Sequence, residues 1–250
     1  MKNTPKDPYT DRNTVAKTNE RTALRNELRE KAKHARAEMP APYRAHKSAE
    51  LCKQLIESLQ ITLGVTNTNP KNAVVGVYSA FHEEVDLQDF IKHAYSMGCA
   101  IAFPCMVRDA WSADKATCQI SIHAANETTP STTCQNQIPQ QTMEMRIVSA
   151  DAYKEKRVTF LNNPLKHFSH YDTELESYPY CAAEQLTMII VPVVGFDSHG
   201  NRLGYGAGNY DRYLTQIPST CRVVGVAFAE QQVDNIPTEE HDIPLTIVSL

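Results

Sequence analysis

The chain contains no segment that would place it in a membrane or send it out of the cell. No apolar run approaches the ~20 residues of a membrane-spanning helix. The N-terminal stretch MKNTPKDPYTDRNTVAKTNE has no hydrophobic core, which excludes a secretory signal. Its acidic residues and its lack of an amphipathic pattern argue against a mitochondrial transit peptide. The sequence therefore predicts a cytoplasmic protein with no membrane partner.

Patterns typical of disulfides, transition-metal centres and nucleic-acid surfaces are also missing. The seven cysteines are scattered, odd in number and form no C-x-x-C pair, and the nine histidines include no H-E-x-x-H. We therefore expect reduced thiols and no transition-metal site. A net charge of −4 excludes the strongly basic surface that nucleic-acid binding favours.

What the sequence does contain is enough apolar material for one α/β domain. Hydrophobic residues occupy 42% of the 250 positions and charged residues 22%, proportions typical of a globular protein. Residues 73–78 (AVVGVY) and 100–106 (AIAFPCM) predict strands. Between them, residues 86–97 predict a helix that Asp86 caps and Gly98 ends. A strand–helix–strand unit is typical of a parallel sheet, whose ligands gather beyond the carboxyl ends of the strands.

The remaining elements extend this pattern in both directions along the chain. Pro40 and Pro42 separate two predicted surface helices, and an elaborated insertion interrupts the chain at 107–142. The other predicted elements are a disordered tail at 1–18, helices at 20–37, 43–59 and 210–216, strands at 187–194 and 221–228, an antiparallel strand or hairpin at 143–148, and a loop at 166–183. We expect a single domain over 19–250 behind the tail.

The stretch 189–213, IIVPVVGFDSHGNRLGYGAGNYDRY, carries the strongest functional signal. A buried strand leads through a turn at 197–200 into three glycines at alternate positions, Gly204, Gly206 and Gly208, and then into a helix. Glycine permits positive φ and lets backbone N–H groups approach a ligand, while the helix directs its positive end at the same place. The pattern favours a phosphate site, although the spacing G-x-G-x-G also fits a flexible strand-to-helix connection.

Charged residues flank these glycines. Arg202 and Arg212 add positive charge on either side of the loop, which suits a phosphate. Asp211 supplies a hard oxygen of the kind that Mg²⁺ bound to nucleotide phosphates requires, or it caps the helix. Both roles are open for Asp211.

The segment VPVVGFDSHGNRLGYGAGNYDRYL resembles the signature of the 5-formyltetrahydrofolate cyclo-ligase family, which runs approximately VP-x-x-x-FD-x-x-G-x-RLG-x-G-x-G-[YF]YD. The resemblance implies a three-layer α/β/α domain with a mostly parallel sheet, similar to the sugar-phosphate isomerase and CoA-transferase fold. It implies ATP- and Mg²⁺-dependent cyclisation of 5-formyltetrahydrofolate to 5,10-methenyltetrahydrofolate, through phosphorylation of the formyl oxygen and attack by N10. A monomer with only small-molecule partners is expected.

Three further segments resemble the same family. ALRNEL contains Arg25, the arginine of the family's nucleotide-contacting K-x-x-x-R pair, with Arg21 in the place of the lysine. The stretch VYSAFHEEVDLQDFI resembles the family's folate segment Y-x-x-x-x-E-[VI]-[DE], which implies Glu84 and Ser79 as folate contacts. From the residues alone, Glu84 is better explained as an exposed acid before a helix. The C-terminal segment puts Asp242 at an acidic position that holds Mg²⁺ in the family, or that caps a turn.

The resemblance assigns a complete set of site residues. Arg202 and Asp211 are the expected catalytic residues, and Asp211 and Asp242 the expected magnesium ligands. The expected folate contacts are Ser79, Glu84, Tyr205 and Asn209. The expected ATP contacts are Arg21, Arg25, Arg202, Leu203, Gly204, Tyr205, Gly206, Ala207, Gly208, Asn209 and Tyr210.

Four positions depart from the family's pattern. Arg21 replaces a lysine, Asn163 replaces a glutamate or glutamine before a proline, Ala207 replaces a glycine or lysine, and Asn209 replaces an aromatic residue. The changes at Arg21, Asn163 and Asn209 leave open a non-catalytic relative that binds nucleotide or folate without turnover. A different phosphoryl-ester enzyme on the same fold, without ATP dependence, is a second alternative.

Overall fold

The centre of the molecule is a mixed β-sheet. The computed structural model describes residues 8–81, 83–108, 141–238 and 242–250. Within them the strands are β1 Val74–Gly76, β2 Ala100–Arg108, β3 Gln141–Val148, β4 His167–Phe168, β5 Tyr180–Cys181, β6 Leu186–Pro192, β7 Gly195–Phe196, β8 Arg202–Leu203, β9 Arg222–Ala227 and β10 Thr246–Ser249. The α-helices are α1 Pro8–Glu38, α2 Ala41–Val65, α3 Gln88–Met97, α4 Ala150–Lys154, α5 Thr159–Asn162 and α6 Asn209–Leu214.

Parallel pairing dominates this sheet. The strand order is β10-β9-β6-β1-β2-β3-β5, with β4 beside β2, and every neighbouring pair from β10 to β2 is parallel. β3 pairs antiparallel with both β2 and β5, which confirms the antiparallel strand predicted at 143–148. β7 and β8 form a separate antiparallel hairpin. The predicted α/β class with a mostly parallel sheet is therefore confirmed.

Apolar side chains cover both faces of the sheet, because successive residues of a strand point to opposite sides. Ile190 of β6 belongs to the buried cluster that contains Leu55 of α2 and Phe90 of α3. Its neighbour Ile189 belongs to a second cluster, which contains Tyr213 of α6. Helices thus pack on both faces, and the predicted three-layer arrangement is confirmed.

Both N-terminal helices are longer than the sequence pattern indicates. α1 begins at Pro8, so its first turns fall within the segment predicted to be disordered, while residues 1–7 lie outside the described residues. The early turns of α1 carry few apolar residues, and amphipathic periodicity does not detect such turns. α2 continues to Val65, beyond the predicted end at 59, because its buried stripe extends through Thr62 and Leu63.

The helix between β1 and β2 begins later than predicted. α3 starts at Gln88, with Leu87 and not Asp86 at the N-cap position. Asp86 Oδ1 still accepts a hydrogen bond of 2.9 Å from the backbone N–H of Gln88. Gly98 ends the helix as predicted, because its φ of 91° is a left-handed conformation that glycine adopts without strain.

Most of the predicted insertion at 107–142 lies outside the described residues. Its two ends are described, since β2 continues to Arg108 and β3 begins at Gln141. The segment 166–183, predicted as a loop, contains the short strands β4 and β5. None of the described helices combines the length and the apolar character that crossing a membrane requires.

The turn between β7 and β8 is built on the buried carboxylate of Asp197. Its Oδ1 accepts from the backbone N–H groups of His199 and Asn201, at 2.9 and 3.0 Å. Its Oδ2 accepts from the side chain of Asn201 at 2.9 Å and from the backbone of Ile236 at 3.0 Å. Burial alone would raise the pKa of this carboxyl, but the hydrogen bonds outweigh burial and hold the pKa below its ordinary value.

Asp197→Asn is expected to lower the free energy of unfolding by about 1–3 kcal/mol at pH 7, because an amide cannot accept all of these bonds. The depressed pKa means that the carboxylate stabilises the fold fully above the unfolded value of about 3.9 and loses this effect as the pH falls further. Urea unfolding at neutral pH and below pH ~4 should therefore show that the variant and the wild type differ less in their free energy of unfolding in acid than at neutral pH. Asp234→Asn, at an exposed position, is the control. An equal effect of both substitutions would contradict the role of Asp197.

Candidate active site

A cavity of about 550 Å³ opens at the carboxyl ends of β1 and β6. The chain leaves β1 into this cavity at Tyr78 and leaves β6 at Pro192. Parallel strands present their ligand sites at this end, as the sequence predicts. The lining residues that carry the argument below are Arg25, Arg29, Ser79, Glu84, Met106, Met143, Phe160, Arg202, Gly204, Tyr205, Gly206, Ala207, Gly208, Asn209, Tyr210, Asp211 and Asp242.

The glycine loop between β8 and α6 forms one wall of the cavity. Gly206 and Gly208 have φ values of 101° and 66°, which side chains rarely tolerate. Gly208 occupies the N-cap position of α6, so the helix begins at Asn209 and not at the predicted residue 210. Asp211 lies inside the first turn, and its interpretation as the helix cap is therefore wrong.

Asp211 instead forms an ion pair with Arg202. Arg202 Nη2 donates to Asp211 Oδ1, and the two side chains are 4% and 26% exposed. Burial lowers the pKa of the Arg202 guanidinium, an effect that the charge of Asp211 opposes. A guanidinium keeps its proton in proteins, so Arg202 is a fixed positive charge in the wall. Its Nε has no hydrogen-bond partner within the described chain.

Helix α1 reaches the same wall with two further arginines. Arg25 Nη1 lies 2.5 Å from Asp242 Oδ2 and also donates to the carbonyl oxygen of Pro237 at 2.8 Å. Arg29 Nε donates to the carbonyl oxygen of Gly204 at 2.8 Å. Burial, followed by the charge of Arg25, lowers the pKa of Arg29. Arg25 is therefore in the cavity as predicted, and Arg29 is a cavity residue that the sequence reasoning did not select.

Two of the predicted ATP contacts are not in the cavity wall. Arg21 lies on α1 one turn before Arg25 and is not among the lining residues. Leu203 is fully buried in an apolar cluster with Leu28 and Val233 beneath the loop. Alternation along β8 directs Arg202 and Leu203 to opposite sides, so only Arg202 faces the cavity.

A second part of the cavity wall carries the two residues predicted after β1. Glu84 Oε1 accepts a hydrogen bond of 2.8 Å from the Tyr205 hydroxyl, and its Oε2 accepts one of 2.9 Å from the backbone of Phe81. Burial, followed by the charge of Glu84, raises the pKa of Tyr205 to about 12. The Ser79 hydroxyl donates to the carbonyl oxygen of Leu161 at 3.4 Å. Glu84 is therefore a partly buried cavity residue, and the interpretation as an exposed acid is wrong.

Apolar side chains line the space between the two walls. Met106, Met143 and Phe160 belong to this surface. Asn209, which replaces an aromatic residue of the family pattern, directs its amide Nδ2 to the sulfur of Met106 at 3.7 Å. The hydroxyl of Tyr210 is buried and has no hydrogen-bond partner among the described residues, and burial raises its pKa. The cavity thus offers a flat apolar space between charged ends.

Carboxylates near the glycine loop suit Mg²⁺ better than a tightly held transition metal. Asp211 and Asp242 both line the cavity, whereas the described residues contain no group of three or more His, Cys, Asp or Glu side chains placed to hold a metal. Mg²⁺ is usually held by one or two carboxylates together with substrate phosphates. The two aspartates therefore fit the ion that the sequence implied.

The described cysteines do not contribute to this cavity. The five cysteines in the described part of the chain are buried free thiols, and none of them lines the cavity. Burial raises the pKa of Cys52 to about 11 and that of Cys105 to about 12. These thiols therefore stay protonated at neutral pH.

Comparison with known proteins identifies a matching family and several relatives. The model of the 5-formyltetrahydrofolate cyclo-ligase family matches residues 17–250. A 5-formyltetrahydrofolate cyclo-ligase of Haemophilus influenzae is 38% identical over 87 residues, which are 34% of this chain and 46% of the relative. The enzyme of that name from Mycolicibacterium smegmatis is 40% identical over 73 residues, which are 28% of this chain and 38% of the relative. The aligned parts thus span less than half of these relatives.

Two solved structures share the fold. A 5,10-methenyltetrahydrofolate synthetase from Mycoplasma pneumoniae superposes with a TM-score of 0.54 at 16% identity, covering 89% of this chain and 96% of that one. The corresponding synthetase from Aquifex aeolicus gives a TM-score of 0.52 at 21% identity, covering 90% and 89%. Because the family model spans nearly the whole chain, this protein belongs to the 5-formyltetrahydrofolate cyclo-ligase family.

Proposed function

We propose that the protein closes 5-formyltetrahydrofolate to 5,10-methenyltetrahydrofolate with ATP and Mg²⁺ and releases ADP and phosphate. The observation that carries this proposal is that the Arg202–Asp211 pair, the glycine loop and Glu84 face one cavity of about 550 Å³. The reaction requires a phosphate site next to a site for a flat polar ring. This cavity has charged side chains for each of the two sites. Its volume is in the range of ~300–1,000 Å³ that is usual for small-molecule sites.

The difficulty of this reaction is electronic. The carbonyl carbon of a formamide is a poor electrophile, because the neighbouring nitrogen donates into it, and the formyl oxygen is a poor leaving group. Transfer of the γ-phosphoryl group to the formyl oxygen, with ADP as leaving group, removes both obstacles. N10 then attacks the formyl carbon and releases its proton to solvent, the carbon–oxygen bond breaks, and phosphate leaves. The protein's task is mainly to position the two substrates and to neutralise charge.

The phosphate end of the cavity is assigned to Arg202 and the glycine loop. Arg202 is buried and held by Asp211, so its charge needs no reorganisation when negative charge develops on the transferred group. The left-handed backbone at Gly206 and Gly208 lets the phosphates approach the main chain closely. Arg25 adds a second cation from α1.

Asp211 and Asp242 are assigned to Mg²⁺. When bound, the ion would neutralise charge on the phosphate oxygens. Each carboxylate already accepts from an arginine, Asp211 from Arg202 and Asp242 from Arg25. These ion pairs orient the two carboxylates and keep the charges of the two arginines balanced before the substrates enter.

The folate end of the cavity is assigned to Glu84, Ser79, Tyr205 and Asn209. A carboxylate suits the pterin, whose amino and ring N–H groups donate hydrogen bonds. The apolar surface of Met106 and Phe160 suits the faces of the ring. The hydrogen bond from Tyr205 to Glu84 links this end to the glycine loop.

Thermal unfolding with MgATP and 5-formyltetrahydrofolate, added separately and together, tests the assignment of the two ligands. A ligand that binds only the folded state raises the melting temperature. We expect each ligand to raise it alone and both together to raise it further. No rise with either ligand would contradict the proposal. A rise with both, without formation of product, would establish the non-catalytic relative instead.

Glu84→Gln is expected to raise the KM for 5-formyltetrahydrofolate by about tenfold or more, because a hydrogen bond to a charged group contributes about 1.5–3 kcal/mol. The KM for MgATP should rise much less, because Glu84 reaches the glycine loop only through its hydrogen bond with Tyr205. Initial rates measured while each substrate is varied separate the two constants. Glu83→Gln is the matched control, because the carboxylate of the adjacent Glu83 does not line the cavity. An equal rise in both KM values, or the same behaviour in the control, would remove Glu84 from the folate site.

A further inference from the structure

Arg36, in the last turn of α1, is a buried cation with few partners. It is only 3% exposed, and its Nε and Nη1 have no hydrogen-bond partner among the described residues. Buried polar groups are normally paired, so a guanidinium left in this state calls for an explanation. The negative C-terminal end of the helix offsets part of its charge. Arg36 is not part of the family signature.

Among the described residues, the one hydrogen bond of the Arg36 side chain leads to the cavity wall. Its Nη2 donates to the Tyr205 hydroxyl oxygen at 3.3 Å, and that hydroxyl donates to Glu84 Oε1 at 2.8 Å. The Tyr205 phenol therefore bridges a buried cation and a carboxylate. The Nζ of Lys33 lies over the same ring, 5.9 Å from its centre. A second cationic side chain of α1 therefore also interacts with the ring.

We propose that Arg36 is a positioning residue that fixes Tyr205 against Glu84 and thereby couples the glycine loop to the folate wall. This inference rests on the proposed function, since it concerns how that site is assembled. Arg36 itself is not among the cavity-lining residues. It acts through the phenol.

The direction of the hydrogen bonds explains why a cation is needed at this position. The Tyr205 oxygen accepts from Arg36 while its proton points to Glu84, so each bond polarises the other. Without Arg36, the phenol oxygen loses this donor, and the hydrogen bond to Glu84 has to orient the ring without it. Tyr205 is 48% exposed and lies between two glycines, of which Gly206 has φ of 101°, so an anchor from outside its own loop stabilises the position of the ring.

The coupling has a consequence for ligand binding. Tyr205 belongs to the loop assigned to the nucleotide, whereas Glu84 belongs to the wall assigned to the folate. A ligand that orders the loop also orders Glu84, and by linkage the reverse holds. MgATP should therefore tighten the binding of 5-formyltetrahydrofolate in the wild-type protein, and this effect should depend on Arg36.

A double-mutant cycle between Arg36→Met and Tyr205→Phe tests the role. Each single substitution is expected to weaken 5-formyltetrahydrofolate binding about tenfold, and the double variant should also weaken it about tenfold rather than about a hundredfold, because both remove the same chain of bonds. Calorimetric titration of 5-formyltetrahydrofolate, with and without a non-hydrolysable ATP analogue and Mg²⁺, gives these affinities without turnover. The tightening by the analogue should vanish in each variant.

Controls separate this role from a structural one. Arg44→Met removes a guanidinium that donates to the carbonyl oxygen of Met39, near the same end of α1 but outside the cavity, and should leave folate binding unchanged. If Arg36→Met does not fold, Arg36→Lys replaces it in the cycle, because it keeps the buried charge and loses the planar fork. Tyr205→Phe alone, at a half-exposed position, should melt like the wild type.

Additive effects in the cycle, or unchanged folate affinity in Tyr205→Phe, would contradict the role of Arg36. Equal losses for folate and for the ATP analogue in Arg36→Met would also contradict it, because they would indicate general damage to the fold. If the wild-type protein itself failed to bind 5-formyltetrahydrofolate, the proposed function would fall. The two failures are therefore distinguishable.

Discussion

Arg202→Met should lower kcat/KM for ATP by about 10²–10³-fold, the loss seen when a preorganised group that stabilises transition-state charge is removed. Methionine approximates the length of the arginine stem and suits the buried position, where Arg202 is 7% exposed. Asp211 remains partly open to water, with 26% of its side chain exposed, so its charge is solvated after the loss of its partner. We therefore expect a folded protein with a specific kinetic defect.

The measurement is the initial rate at varied ATP with saturating 5-formyltetrahydrofolate. Arg222→Met is the control, because Arg222 is an exposed arginine at the start of β9 and does not line the cavity. It should behave as the wild type. An ATP dependence in Arg202→Met equal to that of the control would remove Arg202 from the phosphate site.

Asp211→Asn is expected to lower kcat at fixed Mg²⁺ by about 10²-fold, and to shift the Mg²⁺ concentration needed for half-maximal rate upwards by about 10–100-fold. Asparagine has the same shape and can still accept from Arg202, but it carries no charge. The substitution thus keeps the shape of the side chain and removes the carboxylate that Mg²⁺ requires. It also removes the counter-ion of the buried Arg202, so we expect a lower melting temperature, and rates should be compared at a temperature where both proteins are folded.

Rates measured across a range of Mg²⁺ concentrations test this expectation. Asp234→Asn is the control, since its carboxylate is exposed and pairs only with Lys31 on the surface. The double variant of Arg202 and Asp211 should lose less than the product of the two single losses, because the residues form one ion pair. Wild-type rates and Mg²⁺ dependence in Asp211→Asn would contradict the metal role.

The parts of the structure that depend on local patterns were predictable from the sequence. Strands β1 and β2, the helix between them and its end at Gly98 follow from apolar runs and from a glycine with positive φ. The glycine loop followed by a helix was predictable for the same reason. The resemblance then indicated that Glu84 and Arg202, 118 positions apart, belong to one site, and both line one cavity.

Contacts that arise only when helices pack were not predictable. Arg29 and Arg36 sit on a helix crowded with basic residues, and most basic residues on a helix face only water. What distinguishes these two is contact with Gly204 and Tyr205, which lie far away in the chain. Amphipathic periodicity describes which face of α1 is apolar, not which of its cations meets a loop.

The position of the Leu203 side chain could have been predicted from the sequence. The resemblance includes Leu203 among the ATP contacts because it runs through this residue without a break. It directly follows Arg202 in a strand, and alternation puts neighbouring side chains on opposite faces. An apolar residue next to a buried functional arginine therefore belongs beneath the loop, where Leu203 packs with Leu28.

The most direct test of the central claim is simultaneous measurement of methenyl absorbance and of phosphate release by the purified protein with 5-formyltetrahydrofolate, ATP and Mg²⁺. If ATP bound at the glycine loop transfers its γ-phosphoryl group to the formyl oxygen, one phosphate should be released for each methenyl group formed. Neither product should form when ATP or Mg²⁺ is omitted. Methenyl formation that continues at the same rate without ATP, or ATP hydrolysis that proceeds equally well without the folate, would contradict it.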